Sequence, residues 1–294
     1  MIDRYLLRYF LAVIEKGNFS KAAAACGVSQ PTLSVGIVKL ERTLGRALFN
    51  RTNRRVELTE AGVRLAEHAR KIEAEFSLAE REVRETALAT TLRLGILVTI
   101  PPDWIERFLS DVATARPAHR VELVEGRERD LAEQLAHGRI DVALTLLRPE
   151  NERLTRERLF REGYSLAVSS RHPLAARDVI EAGELADNPM IVRRSCELIA
   201  DTSRFFTARG VRPSFPARTA DEGRALAYVR AGLGVTIMPD GYRGDGIARP
   251  RLAGFDFERE VGLIYASHVD PARLGEQPPL RLLRATIEAL RPTD

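Results

Sequence analysis

The sequence predicts an α/β protein in three parts: an N-terminal winged helix-turn-helix over residues 1–58, a long dimerising linker helix over 59–90, and a two-subdomain α/β domain over 91–294. Three observations predict it. A helical pattern, a glycine-containing turn and a second helical pattern are followed by short strand-like runs around three arginines. A proline-free stretch from Thr59 to Thr90 carries an apolar stripe. A β-α-β-α-β rhythm then occurs twice. With 294 residues, 45% of them apolar, the chain is long enough to build more than one core.

Leu6, Leu7, Phe10, Leu11 and Ile14 share one face at helical spacing, so residues 4–16 read as an amphipathic helix that Gly17 ends. Asn18 is placed to cap a short second helix, 19–26, whose alanines at 22–25 let another helix cross closely, and Gly27 permits the turn that stops it. Ser29 caps a third helix with Pro31 in its first turn, and Leu33, Ile37, Leu40 and Leu44 give that helix a buried stripe. In such an arrangement the exposed start of the last helix enters the DNA major groove, here Ser29, Gln30, Pro31, Thr32, Ser34 and Val35. The Gln30 amide can pair in bidentate fashion with adenine, Thr32 can meet a base, a phosphate or a thymine methyl, and Ser34 can reach phosphate. For Ser29 a capping role alone is an equal alternative. After Gly45, residues 48–59 alternate turn and β-type residues with Arg51, Arg54 and Arg55 around Asn53, which predicts a two-stranded wing suited to a phosphate backbone or a narrow minor groove.

Charge follows the same division. Residues 1–60 hold ten basic side chains against five acidic ones, while the rest of the 45 basic and 41 acidic residues are close to balance. A polyanion partner for the N-terminal segment is the simplest electrostatic reading, with a solvated basic face as the alternative.

Along the linker, Leu65, Ala69, Ile72, Phe76, Ala79 and Val83 recur at spacings of four and three, the pattern of a coiled-coil seam; a solvated single helix would gain nothing from so regular a stripe. Pairing two linkers makes a homodimer whose two-fold axis matches inverted half-sites on double-stranded DNA, and further pairing into a tetramer is expected. Beyond it, strands are expected at 92–98, 121–125 and 140–146 with helices at 103–116 and 130–137 between them. A second rhythm has strands at 164–168, 190–193 and 234–238 and a helix at 221–231. The first subdomain is assigned residues 91–162 and 267–294, the second 163–266, with a parallel sheet and a ligand cleft at the carboxyl ends of the strands.

Several signals lead nowhere. Gly232 and Gly234 follow a helix and open a strand, the reverse of a dinucleotide fingerprint. The five histidines lack ligand spacing, and Gly163-Tyr164-Ser165-Leu166-Ala167 lacks the final glycine of a nucleophile elbow, so no catalytic residue, metal or cofactor is assigned. Cys26 and Cys196 have no C-x-x-C spacing. Cys196, beside Arg193 and Arg194, is either a redox-sensing thiol with a lowered pKa or a buried structural one. Charged residues interrupt the first thirty positions and no run reaches the ~18 apolar residues of a membrane span, so the cytoplasm is the expected compartment. An enzyme or a transport-type binding protein carrying a fused DNA-binding module is the competing class.

The run AAAACGVSQPTLSVGIVKLERTLGRALFNRTNRRVELTEAG, at 22–62, resembles the signature segment of LysR-type transcription regulators, departing from it at Val35 and Gly36, where polar or basic residues are usual. GRIDVAL at 138–144, HPLA at 172–175 and AGLGVTIMP at 231–239 extend the resemblance over nearly the whole chain. It implies a DNA-binding regulator whose C-terminal domain is similar to periplasmic binding proteins and is controlled by a small-molecule effector. By motif, the effector contacts fall on Thr99, Ile100, Thr145, Arg193, Arg194 and Ser195. Arginine forks and hydroxyls in such places suit a small anion, the alternative being that Arg193 and Arg194 form surface ion pairs or face the dimer.

Overall fold

The structure is a computed structural model that describes residues 1–51, 56–84, 91–115, 120–151 and 154–292. Packing divides the chain into two compact units, Met1–Leu88 with Glu133–Arg139, and Ala89–Ala132 with Ile140–Asp294. No helix among the described residues is long and apolar enough to cross a membrane.

The first unit runs α1 (Arg4–Lys16), α2 (Phe19–Ala25), α3 (Gln30–Leu44), β1 (Phe49–Arg51), β2 (Val56–Leu58) and α4 (Glu60–Arg84). Leu6, Phe10, Val13, Leu33, Ile37, Leu40 and Leu48 are fully buried in one core. Glycines end α1 and α3 in the left-handed conformation, Gly17 at φ 61° and Gly45 at φ 65°. Glu41 turns the chain into the wing, its Oε1 accepting the backbone N–H of Leu48 at 2.8 Å. The departure at Gly36 is explained by packing: Gly36 is buried against α1, and a Cβ there would stand 2.7 Å from Tyr9 Cδ2.

The N-terminal half of α4 belongs to this core. Leu65 and Ala69, which the sequence assigned to an intermolecular seam, pack within it, Ala69 fully buried. The reason is that α4 lies along α1, where the Arg4 guanidinium donates to Glu73 at 3.0 Å and Glu80 at 2.7 Å and lies 4.4 Å from the Phe76 ring centre. Ile72, Phe76, Ala79 and Val83 remain exposed, Val83 at 88%.

The second unit contains β3 (Thr91–Leu97), α5 (Pro102–Ala115), β4 (Arg120–Gly126), the start of α6 (Glu128–Ala136), whose residues from Glu133 on count with the first unit, β5 (Val142–Leu146), β6 (Arg156–Ser169), β7 (Val179–Ile180), β8 (Ile191–Arg193), α7 (Ile199–Ala208), β9 (Ala217–Thr219), α8 (Glu222–Arg230), β10 (Thr236–Pro239), β11 (Ile247–Ala248), β12 (Arg251–Leu252), β13 (Glu258–Tyr265), α9 (Pro271–Gly275) and α10 (Pro278–Leu290). The main sheet has the order β10-β6-β13-β5-β3-β4, with β11 also on β6. Only β3 with β4 and β5 is parallel there; β5, β13, β6 and β10 alternate in direction, so the sheet is mixed rather than parallel.

Two features were not expected. The fourteen-residue β6 pairs with β13 over its first half and with β10 from Tyr164 onward, so one strand serves both lobes. β13 lies between β5 and β6, which returns the chain to the first lobe's sheet at Glu258 instead of at residue 267. The charged runs that hid these strands are cross-strand ion pairs, Arg161–Glu258 at 3.1 Å and Arg158–Glu260 at 3.5 Å.

Candidate functional site

The exposed tip of α3 is built by its cap. Ser29 Oγ accepts the backbone N–H of Thr32 at 3.3 Å and lies 2.7 Å from Thr32 Oγ1, so Ser29 and Thr32 hold one another. Ser29, Gln30, Pro31, Thr32 and Val35 are exposed, Val35 at 69%, and Ser34 is half-buried. Gln30 Nε2 donates to Ser34 Oγ at 2.9 Å, which extends the amide along the outer face. Leu33, Gly36 and Ile37 on the opposite face are buried, so this face cannot turn inward without opening the core. Arg51 ends β1; Arg54 and Arg55 lie outside the described residues.

In the second unit the assigned effector residues separate into two groups. Thr99, Ile100, Thr145 and Arg193 are all buried, whereas Arg194 is exposed and Ser195 half-buried, its hydroxyl donating to the Ala220 carbonyl at 2.9 Å. Arg193 lies in the second lobe, whereas Thr99 and Ile100 are held in a polar cluster that joins the lobes. Arg259 on β13 is its centre: its guanidinium meets Glu162 on β6 at 2.7 Å and Glu197 of the second lobe at 2.7 Å, and donates to Thr99 Oγ1 at 2.9 Å and the Thr99 carbonyl at 3.0 Å. Glu162 also accepts the backbone N–H of Gly241, where Trp104 from α5 approaches so closely that a Cβ would stand 2.8 Å from its ring. Tyr242 donates to the Ile100 carbonyl at 3.3 Å, and Tyr164 to Glu197 Oε1 at 2.7 Å.

Arg193 is likewise committed, ion-paired with buried Glu222 at the start of α8 and donating to the Ile237 carbonyl at 2.6 Å. Three carboxylates thus face two guanidinium groups in this junction. Burial opposes ionisation of Glu197, but the Arg259 charge and hydrogen bonds outweigh it and hold its carboxyl below the ordinary range. Thr145 Oγ1, Arg193 Nη2 and Glu197 Oε2 are buried without a hydrogen-bond partner. Sequence reasoning missed Arg259, Glu162, Glu197 and Glu222; for Arg259 the available signal was a charge next to an apolar strand run, as in EREVGLIY, and Glu197 and Glu222, in a loop and at a helix start, offered none.

Cys196 is partly buried against the core of the second lobe. Burial pushes its thiol pKa up and outweighs the opposing charge of Arg193, so the neighbouring arginines do not activate it.

Comparison with known proteins places these features. A family model described as "Bacterial regulatory helix-turn-helix protein, lysR family" matches residues 5–63, and one described as "LysR substrate binding domain" matches 85–290. A "Probable hydrogen peroxide-inducible genes activator" of Mycobacterium avium is 34% identical over 270 residues, 89% of this chain and 87% of that protein. The "DNA-binding transcriptional dual regulator OxyR" of Escherichia coli K12 is 28% identical over 88% of each chain. Among solved structures, a mutant of OxyR from Corynebacterium glutamicum superposes with a TM-score of 0.54 at 27% identity, covering 98% of this chain and 94% of that one.

Arg259 is the test of the junction. Arg259→Met leaves two buried carboxylates without their common cation and is expected to destabilise the protein by roughly 3–5 kcal/mol in chemical denaturation, whereas Arg161→Ala, in a solvated pair, costs about 0–1 kcal/mol. Arg259→Met removes the charge that holds the Glu197 carboxyl down and leaves the burial that raises it, so the folded state binds a proton more readily there and the deficit narrows as pH falls. Equal losses in the two variants at neutral pH would contradict this reading.

Proposed function

We propose that this chain, which belongs to the LysR family of bacterial transcription regulators, is a cytoplasmic homodimer that pairs into tetramers, reads promoter DNA with the tip of α3, and answers to a small anion. It is a DNA-binding regulator with an effector domain and not an enzyme. The reading of DNA rests on one observation: Ser29, Gln30, Pro31, Thr32 and Val35 form an exposed face on a helix whose cap and buried side hold it rigidly. Gln30 serves as the base reader, Thr32 and Ser34 as base or phosphate contacts, and Arg51, Arg54 and Arg55 as backbone or minor-groove contacts.

Dimerisation is assigned to the exposed part of the linker stripe, Ile72, Phe76, Ala79 and Val83, since Leu65 and Ala69 are occupied within the chain. Of the residues the motifs suggest for the anion, Arg194 with Ser195 remains available, because Glu222 already matches the charge of Arg193. A second reading is favoured by Cys196, the sole cysteine of the effector domain, and by the names of the relatives: a peroxide oxidises its thiol to a sulfenic acid with release of water. The raised thiol pKa makes that step slow at neutral pH and faster in alkali.

On DNA, Gln30→Ala is expected to cost roughly 1–3 kcal/mol of discrimination between the specific site and random sequence, while Arg54→Ala weakens both alike; equal losses on both DNAs for both variants would remove the assignment. Ile72→Asp is expected to yield monomers in sedimentation, an unchanged dimer being the contrary result. For the peroxide reading, hydrogen peroxide should alter DNA binding by the wild type and not by Cys196→Ser; an equal response of the two excludes Cys196 as the sensor.

A further inference from the structure

The second lobe contains a cavity of about 490 Å³ between α7, β8, β10 and the segment 211–215. Met190, Ile199, Phe206, Val211, Phe215 and Ile237 make its walls mainly apolar, and Cys196 and Thr202 also face it. All of its lining comes from residues 190–237, and Arg193 is the one member of the polar cluster that it includes. The size lies within the range of about 300–1,000 Å³ in which proteins hold small organic ligands. Its edge exposes two large apolar side chains, Ile199 at 44% and Phe215 at 46%. Arg212, also in the lining, is exposed and pairs with no carboxylate among the described residues. The other arginine of the lining, Arg193, is already neutralised by Glu222. The net demand of the site is therefore for an apolar body with one negative charge at the open end.

We propose that this cavity is the effector site and that its ligand is an apolar monocarboxylate, an alkyl or aryl acid. The hydrocarbon is buried among Ile199, Phe206, Val211 and Ile237, and the carboxylate stays at the rim on Arg212, where it keeps part of its hydration. This rests on the reading that an anion controls the protein, and replaces the Arg194 position with a different site. The cavity is wired to the lobe junction through the chain itself. Cys196 is part of its wall, and the next residue, Glu197, is ion-paired with Arg259, which holds Thr99 of the first lobe. A ligand that fits one position of this segment better than another shifts the balance between lobe arrangements by that difference in affinity.

The experiment uses the full-length protein with octanoate as probe and octanol and acetate as comparators. Octanoate is expected to raise the melting temperature and to slow alkylation of Cys196, read by mass spectrometry, without protecting Cys26. Octanol binds more weakly and acetate not at all. Arg212→Gln, a surface change, should lose about tenfold in octanoate affinity while leaving octanol unchanged, and Thr202→Trp, which fills the cavity, should lose both ligands. If octanoate binds Arg212→Gln and Thr202→Trp as it binds the wild type, the site is overturned. Should its binding depend on Arg194 instead, the anion reading survives without the cavity. If neither octanoate nor acetate binds the wild type, both the cavity ligand and the anion reading fall.

Discussion

A guanidinium buried where two lobes meet is the constraint on which the effector domain depends. Arg259 is 3% exposed and reaches a carboxylate on its neighbouring strand, a carboxylate of the second lobe, and both the hydroxyl and the carbonyl of the loop after β3. Neither the cation nor its carboxylates can be left alone at that depth, since an unpaired buried charge costs several kcal/mol. The lobes are joined at this point by paired charges, in which Glu197 Oε2 still lacks a partner, so that Glu197 is tied to both sides through Arg259. Trp104 against Gly241 adds a close steric contact at the same place.

The DNA-reading unit solves a different problem with different means. An outer face of polar side chains must be held in fixed register while offering nothing of its own to the core. Capping by Ser29, the left-handed Gly45 at the other end, and Gly36 against Tyr9 achieve this by backbone geometry and close packing. Gly36, at which the chain departs from the usual family signature, is spent on the approach of α3 to α1 and not on the outer face. The same economy divides α4: its first turns complete the core, and its later apolar residues are left for another surface.

The helices of the first unit and α5, α6 and α8 were readable from the sequence because their causes are local, whereas α7, α9 and α10 were not expected. The caps at Asn18, Ser29 and Asp221 accept the backbone N–H groups of Lys21, Thr32 and Arg224 at 2.9 to 3.3 Å, within a few residues of each cap. The parallel strands β3 and β5 were readable too, since strands buried on both faces are nearly continuous apolar runs, and β4, at the sheet edge, was readable from its alternation of apolar and charged residues. Of the antiparallel strands, the second part of β6 was readable at 164–168, but its first part, 156–163, and β13 were not, because half of those residues are charged and only pairing turns the charges into neighbours.

By itself, then, the sequence determined the order of the parts, the helix-turn-helix with the exposed outer face of its last helix, and the family signature, all of which follow from short-range periodicity, capping and motif. Only the tertiary structure decided what Thr99 and Arg193 do, which of the linker's apolar residues stay exposed, and that an apolar cavity with a charged edge lies within one lobe. The physical reason is that these depend on partners far away along the chain, Arg259 being 160 residues from Thr99 and Glu222 being 29 from Arg193. Whether a charge is free to bind a ligand is settled by the counter-charge beside it, and that neighbour is chosen by the fold.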